Sequence, residues 1–531
     1  MYDILIKNGL IVDGTGETPY KGNLAILDDK IKILADGETP EAKRVIDAED
    51  KVVTPGFIDT HSHSSLLLFE DPLLTPKTRQ GITTEFVAQD GMGPAPVDAP
   101  NKSSWMKAMR GLEGEYKAPW DWESVDDYLN TIDKLDLGPN IAYLAPHSNV
   151  RFVSMGMENR DATEEELVKM KENLAKAMAE GAFGLSTGLI YPPGSYGNTR
   201  ELVELGTVLA DTGGVFVTHQ RSEADSILDS MDEILKIGND SGCRIHFSHF
   251  KVCGKNNWDK IPAVLEKLDN FTKAGQVVSF DQYPYVAGST MMSVIIPPWA
   301  HDGGTDKLLE RLKDAELREK MKEDIHKGIK GWDNFVEFAG FDGIFVTFVG
   351  SEKNKDVEGK SLTEVGEMRG KEPLDAIFDI ILEEENLVRL VDFWGTEEHV
   401  ITLMKRPEQN VCTDGILGGK PHPRVYGAFP RVIGKYVREE NAFKLEEAIY
   451  KMTKKPAETF GITDRGVLKD DYAADIVILD FDTIRDKGDY NEPNQYPTGI
   501  DYVIVNGKVI IDDGVEKPQK AGKVLRYQGR K

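Results

Sequence analysis

Apolar and polar residues alternate at both ends of this chain and fall into a mixed rhythm between them. Over the first fifty residues, DILIKNGLIVDGTG, NLAILDDKIKILADG and KRVIDAEDKVVTPG alternate with period two, broken by Asn-Gly, Asp-Asp and Asp-Gly. That period sends successive side chains to opposite faces, so these runs predict short strands joined by tight turns. VLKDDYAADIVILDFDT, DYVIVNGKVIIDDG and KVLRYQG repeat the pattern towards the other end. Two β-rich ends around a different middle predict one small β-sandwich domain, assembled from residues 1–54 and 465–531.

The middle alternates short apolar runs with helical stretches. The runs are VVTPGFIDTHSH (52–63), GITTEFVAQD (81–90), NIAYLAPHS (140–148), GAFGLSTGLI (181–190), GGVFVTHQ (213–220), CRIHFSHFK (243–251), QVVSFDQYPY (276–285) and NVCTDG (410–415). EEELVKMKENLAKAMAE (164–180) spaces its apolar residues for one helical face. Strands alternating with helices predict a parallel sheet. Eight of them predict an α/β fold, a (β/α)8 TIM barrel over residues 55–464, with the active site at the C-terminal strand ends. The stretch between the seventh and eighth strands is too long for a plain connection. There TDKLLERLKDAELREKMKEDIHKGIKG (305–331) reads as helix and FVEFAGFDGIFVTFVG as strand. An insertion at about 295–365, before the last barrel strand, is therefore expected, serving either as a lid or as passive decoration.

Chemistry concentrates at the ends of these strands. In FIDTHSHSS (57–65) two histidines stand one residue apart, so in an extended chain His61 and His63 share a face. Asp90, His219, His249 and Asp414 close four further strands. Any one of these alone is an ordinary structural residue: a strand-end His is usually packed, and an Asp there usually caps a turn or helix. Six of them on one barrel rim suit a divalent metal of zinc type. One carboxylate would bridge two ions, roughly 3.5–4 Å apart. The other would act as general base.

Charge and composition narrow the partners. With 90 acidic against 64 basic residues the net charge is −26, which opposes nucleic acid and anionic membrane. No run approaches the roughly 18 apolar residues that a membrane span needs. MYDILIKNGLIVDG lacks the basic-then-apolar pattern of a signal peptide, and three cysteines are too few for a disulfide framework, so a cytoplasmic location is expected. Against this acidic background, Arg221, Lys251 and Arg424 would form a local positive pocket for a carboxylate. Arg221 has an equal alternative as a structural ion pair with Glu223 or a nearby Asp. His246 lies three residues before His249 and is read as structural, and Cys253 as a packing residue.

PGFIDTHSH, a His at the fifth strand, a His at the sixth and TDG at the eighth resemble the amidohydrolase superfamily. STGLIYPPGSY, THQRSE, SHFKVCG, DQYPYVAGST, HPRVYGAFPRV and MTKKPAETFGI narrow the likeness to its N-acyl-D-amino-acid deacylases, the D-aminoacylases. The resemblance implies a metal-dependent hydrolase that cleaves a small N-acyl-D-amino acid into a carboxylate and the free D-amino acid, using one or two Zn2+ ions. It implies that His219 and His249 hold the tighter zinc, that His61 and His63 form a weaker site, and that Asp414 activates water and then protonates the leaving amine. It also implies that Arg424 grips the substrate carboxylate, with Lys251, Tyr283 and Ser289 beside it. The chain departs from the family at Asp90, where those enzymes carry a Cys ligand; a harder oxygen donor leaves occupancy, metal preference and substrate class open. A cyclic amidohydrolase of hydantoinase or dihydroorotase type, or a deacylase of another N-acyl substrate, is the alternative. The fourth strand offers Ser186 where the cyclic enzymes place a carboxylated lysine. The oligomeric state is not legible.

Overall fold

The computed structural model describes residues 1–35 and 37–529 and has a mixed α/β architecture. Strands from the two ends of the chain share one nine-stranded sheet. Its path runs Val515–Glu516, Lys508–Asp512, Ile500–Val505, Ile476–Leu479, Val52–Pro55, Tyr2–Ile11, Tyr20–Leu27 and Lys30–Ile33, with Ala42–Asp47 alongside Tyr2–Ile11. The seam is the antiparallel pairing of Val52–Pro55 with Ile476–Leu479, whose β-branched side chains suit a buried pleated surface.

The run 52–63, read from sequence as one strand, divides at Gly56. A Cβ there would lie 2.1 Å from Thr83 Oγ1, so only glycine lets the chain pass its neighbour this closely on leaving the terminal sheet. Beyond it come eight interior strands: β1 (Phe57–Asp59), β2 (Ile82–Val87), β3 (Asn140–Tyr143, resuming as Ala145–Pro146), β4 (Gly184–Gly188), β5 (Val215–His219), β6 (Arg244–Phe247), β7 (Val278–Gln282) and β8 (Gln409–Val411). Each pairs in parallel with the next, β7 reaching β8 across the long intervening segment. Just past the ends of β1 and β8 the two chains also meet. The Asp414 N–H donates to the His61 carbonyl at 2.9 Å, the His63 N–H to the Gly415 carbonyl at 3.1 Å, and Ser62 and Gly415 form a parallel bridge.

Helices cover the interior strands, whose residues are almost all buried on both faces. Glu164–Ala179 is representative. It starts from a capping box, with Thr163 accepting from the Glu166 N–H, and buries Leu167, Met170, Leu174, Ala177 and Met178. Between β7 and β8 a three-stranded antiparallel sheet of Ala287–Met291, Val388–Phe393 and Ile344–Val349 has its own apolar core, including Ile344, Val346, Leu374, Ile377 and Leu390. It therefore extends beyond 295–365 on both sides. The segment read as strand from Phe335 begins as the helix Phe335–Ala339, because Asn334 accepts from the Val336 and Glu337 N–H groups and starts a turn.

Candidate metal centre

His61 and His63 sit just beyond β1 with ring centres 5.3 Å apart. Both reach the same two carboxylates. His61 Nε2 lies 3.6 Å from Asp90 Oδ1 and 3.6 Å from Asp414 Oδ1; His63 Nε2 lies 3.6 Å from Asp90 Oδ2 and 3.3 Å from Asp414 Oδ1. Across the centre, His249 Nε2 is 3.5 Å from Asp90 Oδ1 and 3.0 Å from His219 Nδ1. Two donor groups result, each with its ligand atoms within 4.8 Å of one another: His61, His63, Asp90 and Asp414, and Asp90, His219 and His249. Asp90 belongs to both. All six residues are buried.

The backbone is bent to achieve this. Asp90, His249 and Asp414 take φ of +54°, +34° and +47°, a region that non-glycine residues seldom occupy and that gathers at functional sites. Several of the donor atoms lack partners among the described residues: both ring nitrogens of His61, Nε2 of His63 and Oδ1 of Asp90 are buried and make no hydrogen bond. Leaving such atoms unmatched is unfavourable by about 1–3 kcal/mol each, and a divalent cation would satisfy them together. The residues thus fit a metal of the kind their chemistry suggests.

A second ring of side chains holds the donors in place. His63 Nδ1 is 3.0 Å from Glu113 Oε1, at the end of the helix Lys102–Glu113. His249 Nδ1 is 3.2 Å from Glu223 Oε1. Asp281, on β7, accepts from Thr60 Oγ1 at 3.1 Å, lies 3.0 Å from His246 Nε2 and 3.8 Å from His61 Nδ1, and also takes the His249 N–H. Carboxylates on the far nitrogen of a ligating imidazole fix its tautomer and orientation. Sequence reading missed Glu113, Glu223 and Asp281 in this role, since each stands inside a helix, loop or strand with no spacing signal.

The electrostatics follow the same lines. Burial would raise Asp414, but Arg424, His249 and His61 hold it below the usual carboxylate range. Burial pushes His219 down to about 4. His249 is opposed by burial and by Lys251, yet Glu223, Asp90 and Asp414 bring it up to about 9.

Beside the donors opens a small cavity of about 30 Å³, lined by Lys251, Tyr283, Ser289, Tyr191, Glu223 and Asp414 among others. Lys251, Tyr283 and Ser289, which the sequence reading assigned to the substrate, are thus brought together at one cavity. Lys251 Nζ is 2.6 Å from Glu223 Oε2, and the Tyr283 hydroxyl is buried without a partner among the described residues. Arg424 is also at the centre, but it faces Asp414: Nη1 is 2.9 Å from Asp414 Oδ2, Nη2 donates to the Ser289 carbonyl at 3.0 Å, and the side chain is fully buried behind the cavity. Arg221 is not brought in. Its guanidinium is taken up by Glu233, not Glu223, at 2.9 Å and by the Ser195 and Gly197 carbonyls, each at 2.9 Å. Tyr191, unnoticed in the sequence, packs its ring edge-on to His219 at 5.6 Å and hydrogen-bonds to Thr290 at 2.7 Å. His246 is held by Ser279 and Asp281 away from the donors. Cys253 lines the cavity, with its thiol pushed well up by burial.

A fold of this topology with paired His and Asp donors at its strand ends defines a metal-site hydrolase class, and comparison with known proteins names it. Residues 44–295 and 362–511 match the amidohydrolase family, and the chain belongs to it. It is 30% identical over 525 residues to a D-aminoacylase of Alcaligenes xylosoxydans xylosoxydans, covering 99% of this chain and 97% of that one. Its structure is similar to that of an N-acyl-D-glutamate deacylase from Bordetella bronchiseptica complexed with zinc and a phosphonate inhibitor, with TM-score 0.84, 31% identity, and coverage of 99% and 100%. It is also similar to a D-aminoacylase structure concerned with a binuclear metal centre, with TM-score 0.83, 30% identity and the same coverage. Among the described residues no helix is long and apolar enough to cross a membrane.

Proposed function

We propose that this chain hydrolyses the amide bond of N-acyl-D-amino acids, releasing a carboxylate and the free D-amino acid. The observation that carries the reading is the pair of buried donor groups sharing Asp90, one of them including Asp414, at a cavity that offers cationic and hydroxyl donors. Whole-chain likeness to D-amino-acid deacylases supports the substrate class. The fold is read as a closed (β/α)8 barrel over 55–464, with residues 1–54 and 465–531 as a separate β-domain and a lid-like segment within 295–365. The hydrogen bonds joining the ends of β1 and β8 support closure.

His219 and His249 would hold one zinc with Asp90, and His61 and His63 a second with Asp90 and Asp414. When bound, such an ion acidifies water and polarises a carbonyl. The protein's own groups do the rest. An Asp414 carboxylate oxygen takes the proton from the attacking water and delivers it to the nitrogen of the leaving amine. Lys251 Nζ, the Tyr283 hydroxyl and the Ser289 hydroxyl orient the substrate carboxylate. The cyclic-amide alternative is disfavoured at Ser186, which donates to the Ala88 carbonyl at 2.6 Å where a lysine would be needed.

The test is elemental analysis of the purified protein combined with hydrolysis of paired N-acetyl D- and L-amino acids. One to two zinc equivalents and turnover confined to the D series are expected. Absence of bound metal, or preference for ring imides, would overturn the proposal.

A further inference from the structure

The cavity at the metal centre contains one carboxylate that neither the ion nor the carboxylate-binding groups account for. Asp392, on the strand Val388–Phe393 of the insertion, is 3% exposed and lines the cavity. Among the described residues it accepts no hydrogen bond from another residue and forms no ion pair. The nearby cations are engaged elsewhere, Lys251 with Glu223 at 2.6 Å and Arg424 with Asp414 at 2.9 Å. Asp333, the other insertion carboxylate in the cavity, is also committed, accepting from Ser222 Oγ at 2.5 Å and the Glu223 N–H at 2.6 Å. Asp392 pairs across the sheet with Gly288. A Cβ at 288 would lie 2.8 Å from Asp392 Oδ1, so the glycine leaves that oxygen uncovered beside the cavity. Phe335, Phe338 and Trp394 line the same space.

A buried carboxylate without a partner is unfavourable, and a ligand cation would relieve it. Aromatic walls suit an alkyl stem and favour a cation above their faces. We infer that Asp392 recognises the substrate side chain, and that the substrates are N-acyl-D-amino acids carrying an ammonium or guanidinium on an alkyl stem. This inference rests on the deacylase reading above. It sets the chain apart from its N-acyl-D-glutamate-deacylase relative, whose substrate is named as acidic and whose side chain Asp392 would repel.

The zinc-loaded enzyme is assayed with the N-acetyl derivatives of D-lysine, D-arginine, D-glutamine, D-leucine and D-glutamate. Binding of the free D-amino acids is read separately from the shift in thermal unfolding. Basic substrates are expected to exceed D-glutamate in kcat/KM by at least ~100-fold, and free D-lysine to raise Tm more than D-leucine or D-glutamate. In Asp392→Asn the ratio of basic to apolar kcat/KM should fall at least ~10-fold, and Asp392→Glu should retain more of it. Equal or better turnover of D-leucine, D-glutamine or D-glutamate in the wild type sinks the inference and leaves the deacylase reading intact. Turnover of none of the five sinks both. Should both variants fail to fold, the wild-type ratios and Tm shifts decide alone.

Discussion

Arg424 Nη1 lies 2.9 Å from Asp414 Oδ2, and neither side chain is more than 7% exposed. The sequence reading gave Arg424 to the substrate carboxylate; in the structure its guanidinium meets the general-base candidate. A guanidinium there keeps Asp414 ionised, as a group waiting to accept a proton must be. The same contact restrains Asp414 through its second oxygen and leaves Oδ1 towards His61 and His63.

Arg424→Ala should therefore lower kcat as well as raise KM. A pure carboxylate clamp would change KM alone. Removing one partner of a buried charge pair typically forfeits about 2–5 kcal/mol, so kcat/KM should drop at least ~30-fold, with Arg424→Lys recovering part of it. Steady-state kinetics on an N-acetyl D-amino acid decide the matter; an unaltered kcat would return Arg424 to the role of clamp.

Because Asp90 belongs to both donor groups, its loss should empty both. Asp90→Ala is expected to bind less than half an equivalent of zinc under conditions where His63→Ala and His219→Ala each keep about one. Metal analysis after dialysis reads this directly. Chelation of the wild type should also lower Tm, since bound ligand stabilises by about 4 kcal/mol at a thousandfold excess over Kd. Full zinc occupancy in Asp90→Ala would show that the carboxylate is not shared.

Asp414→Asn tests the proton-transfer role. The neutral amide is nearly isosteric but cannot take a proton, so turnover should fall by about 10³-fold. The group of Asp90, His219 and His249 remains complete in this variant, and at least one equivalent of metal should remain. Loss of activity together with all metal would instead mark Asp414 as a ligand first.

Much of this was legible before any coordinates. The strand positions could be read because an interior strand buried on both faces is a short apolar run bounded by turn residues, and five of the eight runs end at or near a polar residue that the fold gathers. His61 and His63 could be paired from their spacing alone. Glu113, Glu223 and Asp281 could not be placed, because their role depends on which helix or loop the fold lays against a histidine tens of residues away. Arg221, for which a structural ion pair was the equal alternative, shows a related effect: a basic residue two positions after a candidate ligand histidine turns outwards to Glu233 once β5 has ended. The insertion was recognised by its length, while its extent depended on the antiparallel pairing of Ala287–Met291 with Val388–Phe393, a contact roughly a hundred residues apart.

Lys77 is the strongest structural feature that the sequence concealed. Fully buried beneath the centre, its ammonium is 3.0 Å from Asp59 Oδ2, 3.0 Å from Glu85 Oε1, 2.8 Å from Ser62 Oγ and 2.7 Å from Thr413 Oγ1. It thus joins the stretch carrying His61 and His63 to the one carrying Asp414, with β2 as the third leg. Lys77→Met leaves Asp59 and Glu85 buried without their cation, and should destabilise the metal-free protein by about 3–5 kcal/mol. Adding Glu85→Gln should restore part of that loss, because one of the stranded charges is then gone. Zinc affinity should weaken in Lys77→Met even where the protein still folds, since the two segments that carry candidate ligands are no longer tied together. Denaturant titration of the metal-free proteins, followed by zinc titration of the folded fraction, measures both effects. A change below about 1 kcal/mol, the range of an exposed ion pair, would show that the three strand ends are held in register without this lysine.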